Sequence, residues 1–350
     1  MTAPRAWISD RIAEIETALR PLCAPGERHA LLDWPAHSNV GDSAIWLGNL
    51  VLLRRLTGRL PDLVTPGIDL AEGLAVHLPD GPIFMHGGGN FGDIWAGVHG
   101  RRLHVLETQR HRRIVQLPQS IRFRPGGLLD RTRRAIAAHP DFTLLVRDRA
   151  SLDFARAHFD CESLLCPDAA LMLGPLAPPA PPLHDVFALL RDDPERATEG
   201  ASVWPLGPVE DWIDEPVPVA TGLDRAIRWV YWKSLSRRAP RFIKRPMMRQ
   251  HERMCLRHAD KRLERGLELL SRGRVVVTDR LHAHILCTLM GRPHVVLDNS
   301  YGKLGNFITT WPDDGLTRRA RDIAEAVDLA REMLHAGRDA PDTAARQEGR

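Results

Sequence analysis

Short apolar runs recur along the chain, each leading into a polar or glycine-rich turn and then into a segment whose apolar residues repeat at helical spacing. Alternation of that kind predicts strands joined by helices, hence an α/β fold with parallel sheet covered on both faces. Ser9 can cap a first helix reaching residue 19, with Ile12, Ile15 and Leu19 on one face. Strands are predicted at 29–34, 81–85, 113–117, 142–146 and 163–165, and helices at 43–56, 94–108, 127–138 and 150–158. After a break the pattern resumes, with strands at 186–190, 274–277 and 295–297, a helix at 281–290 and helical periodicity from 316 to about 334.

The break is residues 174–182, which hold five prolines in nine positions. Proline lacks an N–H and fixes φ, so this stretch suits neither sheet nor helix interior and reads as a semi-rigid spacer. A chain of 350 residues also exceeds one ordinary core. The expected organisation is a domain at 1–174, a linker at 175–184, a second domain at 185–336 carrying a basic helical insertion at 224–262, and a flexible tail at 337–350.

Charge sharpens the picture of that insertion. The formal net charge is +4, yet residues 225–262 hold thirteen Lys and Arg against Glu252 and Asp260, a net of +11, which leaves −7 for the rest. Trp229, Tyr231, Trp232, Phe242, Met247 and Met248 lie among these cations. Interleaved aromatic and basic side chains suit anionic lipid headgroups; nucleic acid is the competing partner, and a solvated helical hairpin is the plain structural reading. No apolar run approaches the ~20 residues of a membrane span. The N-terminus, with Asp10, Glu14 and Glu16, lacks the apolar region of a signal peptide. A cytoplasmic protein, peripheral at the inner membrane face at most, is expected. Cys23, Cys161, Cys166, Cys255 and Cys287 are odd in number and scattered, which predicts buried thiols and no metal site.

Candidate chemistry lies in three turns: His37-Ser38-Asn39-Val40-Gly41-Asp42, His86-Gly87-Gly88-Gly89-Asn90-Phe91-Gly92-Asp93 and Asp279-Arg280-Leu281-His282. In an open parallel sheet, ligands collect beyond the carboxyl ends of the strands, where such turns would lie. Gly87-x-Gly89-x-x-Gly92 formally matches a dinucleotide fingerprint, but the following strand ends in Gln116, Pro118 and Gln119 where a ribose-binding acid is needed. The glycines still allow backbone N–H groups at a helix start to meet an anion, or else form a purely structural turn. Gly41-Asp42-Ser43 together with Gly89-Asn90 and Asp279-x-x-His282 mimics a serine esterase, although that Asp-x-x-His opens a helix with nearly seventy residues still to follow. Arg280 and His282 flank an apolar residue at a strand-to-helix turn, so both can face a crevice, one gripping an anion and the other exchanging a proton. A bridge from Arg280 to Asp279 is the structural alternative, and His284 points elsewhere. Arg191 follows one strand and Asn299 to Lys303 follow another, so Arg191, Arg280 and Lys303 would set three cations at one sheet edge. Phosphate with an adjacent carboxylate fits that count.

Taken in order, Asn39-x-Gly41-Asp42, the His86 to Asp93 run, Leu117-Pro118-Gln119-Ser120, Val146-Arg147-Asp148-x-x-Ser151, Cys166-Pro167-Asp168, Arg191-Asp192 and Thr278-Asp279-Arg280-Leu281-His282-Ala283 resemble the polysaccharide pyruvyl transferase family. The resemblance implies two Rossmann-like domains facing a cleft, similar to the type-B glycosyltransferase fold. It implies a pyruvate ketal built on two hydroxyls of a surface-glycan sugar, with phosphoenolpyruvate as donor and no cofactor. Arg191, Arg280 and His282 would hold the donor, joined by Asn299 and Lys303 on position. Asn39, Asp42, Gly88, Gly89, Asn90, Gln119 and Ser120 would face the acceptor, and catalysis would fall to His282, Arg280 and either Asp42 or Asp93. A polyprenyl-diphosphate-linked acceptor would give the basic segment a membrane to dock on. A nucleotide-sugar glycosyltransferase of the same fold is the alternative reading.

Overall fold

The computed structural model describes residues 3–65, 74, 78, 80–191, 204–215, 219–234, 241–298, 302–312 and 315–339. Among them the chain alternates strand and helix as its periodicity requires. The first part runs α1 (Ala3–Leu19), β1 (Ala30–Leu32), α2 (Val40–Thr57), β2 (Leu63–Thr65), β3 (Ile83–Met85), β4 (Gly88–Gly92), α3 (Ala96–Thr108), β5 (Ile114–Arg122), α4 (Gly127–Ala137), β6 (Phe142–Val146), α5 (Arg149–His158) and β7 (Glu162–Leu165). The second part runs β8 (His184–Leu189), β9 (Val209–Glu210), α6 (Gly222–Ser234), α7 (Arg241–Ser271), β10 (Gly273–Thr278), α8 (Leu281–Leu289), β11 (His294–Leu297), α9 (Lys303–Thr310), β12 (Thr317–Ala320) and α10 (Ile323–Asp339).

Two sheets result, and every described pairing is parallel. The first has the order β2-β1-β3-β5-β6-β7 with β4 on β5; the second is β12-β11-β10-β8-β9. Each order reverses once, between β1 and β3 in the first sheet and between β8 and β10 in the second. Crevices open at such reversals, beyond the carboxyl ends of the strands.

Local chemistry sets several boundaries. Asn39 caps α2, its side chain accepting from the Gly41 N–H, and Gly58 (φ 75°) closes the helix in the left-handed region. Asp148 caps α5 by accepting from the Ser151 N–H. Helix α2 is buried on nearly every side, and at Gly48 a side chain would collide with the Ala169 carbonyl. One apolar cluster joins Ile8 and Ile15 of α1, Trp46 of α2, Met254 of α7, Ile285 of α8 and Phe307 of α9. The two sheets therefore share a continuous core.

Four expectations need correction. Helix α1 begins at Ala3, and Ser9 lies inside it with its hydroxyl donating to the Arg5 carbonyl, so it is no cap. The glycine-rich run opens no helix: Gly88–Gly92 is a strand on the far half of β5. Glycine is required there, because a side chain at Gly92 (φ 141°) would collide with the Arg122 carbonyl. The periodicity from 316 hides a strand, β12, before α10, which is started by Asp322 accepting from the Glu325 N–H (2.9 Å). Helix α10 then runs three residues into the expected tail, whose residues 340–350 lie outside the described set. The basic segment forms α6 and α7, and no described helix is long and apolar enough to cross a membrane.

Candidate active site

The turns after β1, β6, β8, β9 and β10 meet Gly89 and Asn90 of β4 at one cleft of about 420 Å³ together with the start of α9. From the first sheet it is lined by His37, Ser38, Asn39, Asp42, Gly89, Asn90 and Arg147; from the second part come Arg191, Trp212, Asp279, Arg280, His282 and Lys303. Four fixed cations thus face one space. Helices α2, α8 and α9 also start there, so the positive ends of their dipoles add to the field. The arrangement favours a small ligand with several negative charges.

His282 occupies a tight seat. A Cβ at Gly41 would overlap its ring on the Nδ1 side. Its Nε2 lies 3.5 Å from Asp168 Oδ2 and 3.4 Å from Arg147 Nη1. Asp168 uses Oδ1 to accept from the Ala170 N–H (2.8 Å) and Oδ2 to accept from Arg147 Nη1 (2.7 Å). Burial opposes ionisation of Asp168, yet the hydrogen bond and charge of His282 and the guanidinium of Arg147 hold its carboxyl far below the usual range. Arg147 Nε donates to Ser120 Oγ (3.0 Å), whose own hydroxyl donates to Asp148 (2.6 Å). The imidazole is therefore held by a buried, fully oriented chain of charges.

The opposite wall is built around Asp42 and Asn90. Asp42 Oδ2 accepts from Asn39 Nδ2 (2.8 Å), with His37 at 3.6 Å. Burial would raise its carboxyl, but positive potential from His37, His282 and Arg147 prevails and holds it below the ordinary value. Asn90 Oδ1 accepts from Arg102 Nη2 (2.7 Å) and from Gln119 Nε2 (3.0 Å). Two donors fix the amide, so its NH₂ is the end presented to the cleft. Arg102 in turn pairs with buried Asp33 (3.3 Å). Behind it His86, wholly packed, accepts from Asn49 Nδ2 and is pushed down by burial to about 3, so it stays neutral.

The second part supplies the remaining cations. Arg280 is 3% exposed, donates to Asp211 Oδ2 (2.5 Å) and lies over the Trp212 ring. The Arg191 N–H donates to Asp279 Oδ1 (2.9 Å), and burial pushes the Asp279 carboxyl up to about 6 against the pull of Arg191 and Arg280. Lys303 Nζ donates to the Gly89 carbonyl (3.3 Å). A side chain at Gly89 would stand 2.9 Å from Arg147 Nη2 and 3.2 Å from Lys303 Nζ, which is why glycine sits between two cations.

Of the residues singled out from the sequence, Asn39, Asp42, Gly89, Asn90, Arg191, Arg280, His282 and Lys303 line the cleft. Gln119 and Ser120 do not; they are buried behind Asn90 and Arg147 and position them. Gly88 is set back beside Asp42, and Asp93 is spent on the Arg124 N–H (2.6 Å) away from the cleft. Asn299 lies outside the described residues. Arg280 reaches Asp211 rather than Asp279, while His284 is buried against His294 (2.8 Å). Ser43 is wholly buried with its hydroxyl on the Asn39 carbonyl, unlike an esterase nucleophile, and the strand at Gly88–Gly92 leaves no dinucleotide turn. Arg147 and Asp168 had a signal in their places after β6 and β7; Asp211 and Trp212, beside a two-residue strand, had none.

A model of the polysaccharide pyruvyl transferase family matches residues 39–301. Pyruvyl transferase 1 of Schizosaccharomyces pombe is 32% identical over 324 residues, covering 88% of this chain and 76% of the relative. The EpsO protein of Bacillus subtilis is 30% identical over 285 residues, covering 80% and 84%. In fold the chain is similar to a solved structure of a functionally uncharacterised Klebsiella pneumoniae protein, at a TM-score of 0.50 and 16% identity over 89% of this chain and 99% of that one. The matched span holds the first-sheet turns, Arg191, Arg280 and His282, so the cleft belongs to a transferase and the chain is a member of the polysaccharide pyruvyl transferase family.

Proposed function

We propose that the cleft binds phosphoenolpyruvate and transfers its three-carbon unit to two hydroxyls of a glycan sugar, releasing phosphate and leaving a pyruvate ketal. The observation that carries this reading is the meeting of Arg147, Arg191, Arg280 and Lys303 around His282 in a space suited to one small polyanion. In this reading the two sheets act as acceptor and donor sides of a cleft, as in the type-B glycosyltransferases. A lipid-linked saccharide is the acceptor it favours.

The chemistry balances with two proton movements. One proton goes to the methylene carbon of the donor, and the carbon bearing phosphate becomes an oxocarbenium centre that the first hydroxyl attacks. The C–O bond to phosphate then breaks, phosphate leaves with the second proton, and the second hydroxyl closes the ring. His282 serves as the acid, seated by Asp168 and Arg147, while ionised Asp42 accepts a hydroxyl proton from the acceptor. The cations hold carboxylate and phosphate, so positioning and preorganised charge supply most of the acceleration.

The test is phosphate release from phosphoenolpyruvate with lipid-linked saccharide, comparing wild type with His282→Ala and Ser43→Ala. Release that requires acceptor and His282 but tolerates the serine change is expected. Stabilisation by nucleotide sugars and none by phosphoenolpyruvate would replace the proposal with a glycosyltransferase.

A further inference from the structure

Helices α6 and α7 form an antiparallel hairpin. Tyr231 stacks on His251 with ring centres 3.9 Å apart, and Asp224 pairs with Arg257 (2.7 Å) and His258 (3.2 Å) at the other end. These contacts consume the acids of the hairpin's outer half: Asp224 is buried, and Glu252 turns inward to the Val64 N–H. What remains outside is unusual for a solvated surface. Trp229 is 62% exposed and Phe242 77%, and among them Arg225, Arg228, Arg249 and Arg253 are exposed. Trp229 lies two positions from buried Tyr231, and Arg249 and Arg253 lie two positions either side of buried His251, so all three point away from the surface on which those two rings pack.

We propose that this outer face docks on an anionic bilayer surface. Aromatic rings sit at the headgroup level and cations of both helices meet lipid phosphates, a pairing that calls for low net hydrophobicity with one sign of charge. Charge complementarity selects that occupant, since among the described residues of the two helices no acid is exposed between Arg225 and Asp260. The inner half of the same α7 is fastened to the cleft. Arg265 donates to the carbonyls of Ser38 (2.8 Å) and Trp212 (2.6 Å), both at its rim. Arg253 and Arg265 are separated by about 18 Å of helix, so docking would hold the cleft mouth at a fixed height over the lipid. The proposal is independent of which group the cleft transfers.

Co-sedimentation tests it, using the full chain with vesicles of phosphatidylcholine alone and of phosphatidylcholine mixed with phosphatidylglycerol. Binding only to the anionic vesicles is expected, falling as salt shortens the screening length from ~10 Å at 0.1 M to ~3 Å at 1 M. Each neutralising change among Arg225→Gln, Arg228→Gln, Arg249→Gln and Arg253→Gln should lower partitioning about five-fold. Trp229→Ser with Phe242→Ser should lower it without changing the salt dependence. These side chains are exposed, so circular dichroism and turnover of a soluble saccharide should match wild type. Equal binding to both vesicle types, or no binding, overturns the proposal. So does a dimer in sedimentation velocity that Trp229→Ser dissolves while vesicle binding is absent.

Discussion

Asn90 shows how single side chains in the cleft are committed. Because its oxygen is taken by Arg102 and Gln119, Asn90→Asp keeps both internal bonds and replaces the cleft-facing donor with an anionic oxygen. A charged hydrogen bond is worth ~1.5–3 kcal/mol, so KM for the substrate it touches should rise about 10- to 100-fold with melting temperature unchanged. Separate titrations of donor and acceptor would show which substrate that is. Gly41→Ala makes the complementary point: a methyl group there displaces the His282 ring, so turnover should fall by about 10²–10⁴, the usual weight of an acid–base group. The helix itself should survive, and unchanged circular dichroism with lost phosphate release would separate ring displacement from unfolding. Asp168→Asn would act differently, since it leaves Arg147 buried beside a neutral amide; a loss of about 3–5 kcal/mol in urea unfolding is expected.

At the scale of elements, strands read from apolar runs have ends within two residues of those observed, except that β5 runs on from 117 to Arg122, and 142–146 coincides with β6. Burial explains that agreement, because a strand covered on both faces must be apolar along its length. Where the reading failed, backbone rather than side chains decided the outcome. Gly88–Gly92 is a strand whose pairing needs close approach, and β2, β9 and β12 are segments of two to four residues, too short to carry a period. The site was legible where a chemical residue followed a strand, as with Arg191 and Arg280, and illegible where loops such as the one carrying Trp212 were brought in by tertiary contacts. Element packing also makes a pH prediction. Glu252 of α7 accepts the Val64 N–H of β2, and burial pushes its carboxyl up to about 8. The native state keeps this proton over the interval from the unfolded value of about 4.3 to about 8, so stability falls as pH rises through that interval. Glu252→Gln retains an acceptor without the charge. It should flatten the dependence of melting temperature on pH and gain on the order of 5 kcal/mol over wild type above pH 8, with little difference at pH 4.

For the whole molecule, the decisive fact is that cations from both sheets share one space. Arg147 comes from the first sheet, and Arg191, Arg280 and Lys303 from the second part. An anion bridging them binds only the folded arrangement, so phosphoenolpyruvate at a hundred times its Kd should add about 2.7 kcal/mol of stability. The gain should shrink when Arg147 is replaced by Met, and a melting curve indifferent to the anion would count against the shared site.

The seat of α1 has a further consequence for how the chain is made. Trp7 Nε1 donates to the Pro312 carbonyl (2.7 Å), so the first helix rests on a segment synthesised some three hundred residues later. At ribosomal speeds of about 5–20 residues per second, that helix must wait roughly 15–60 s for its partner. Its apolar stripe of Ile8, Ile15 and Leu19 shares a cluster with Trp46 of α2, made within the next thirty residues, so the helix can dock on α2 first and the bond to Pro312 then locks the two ends of the fold together.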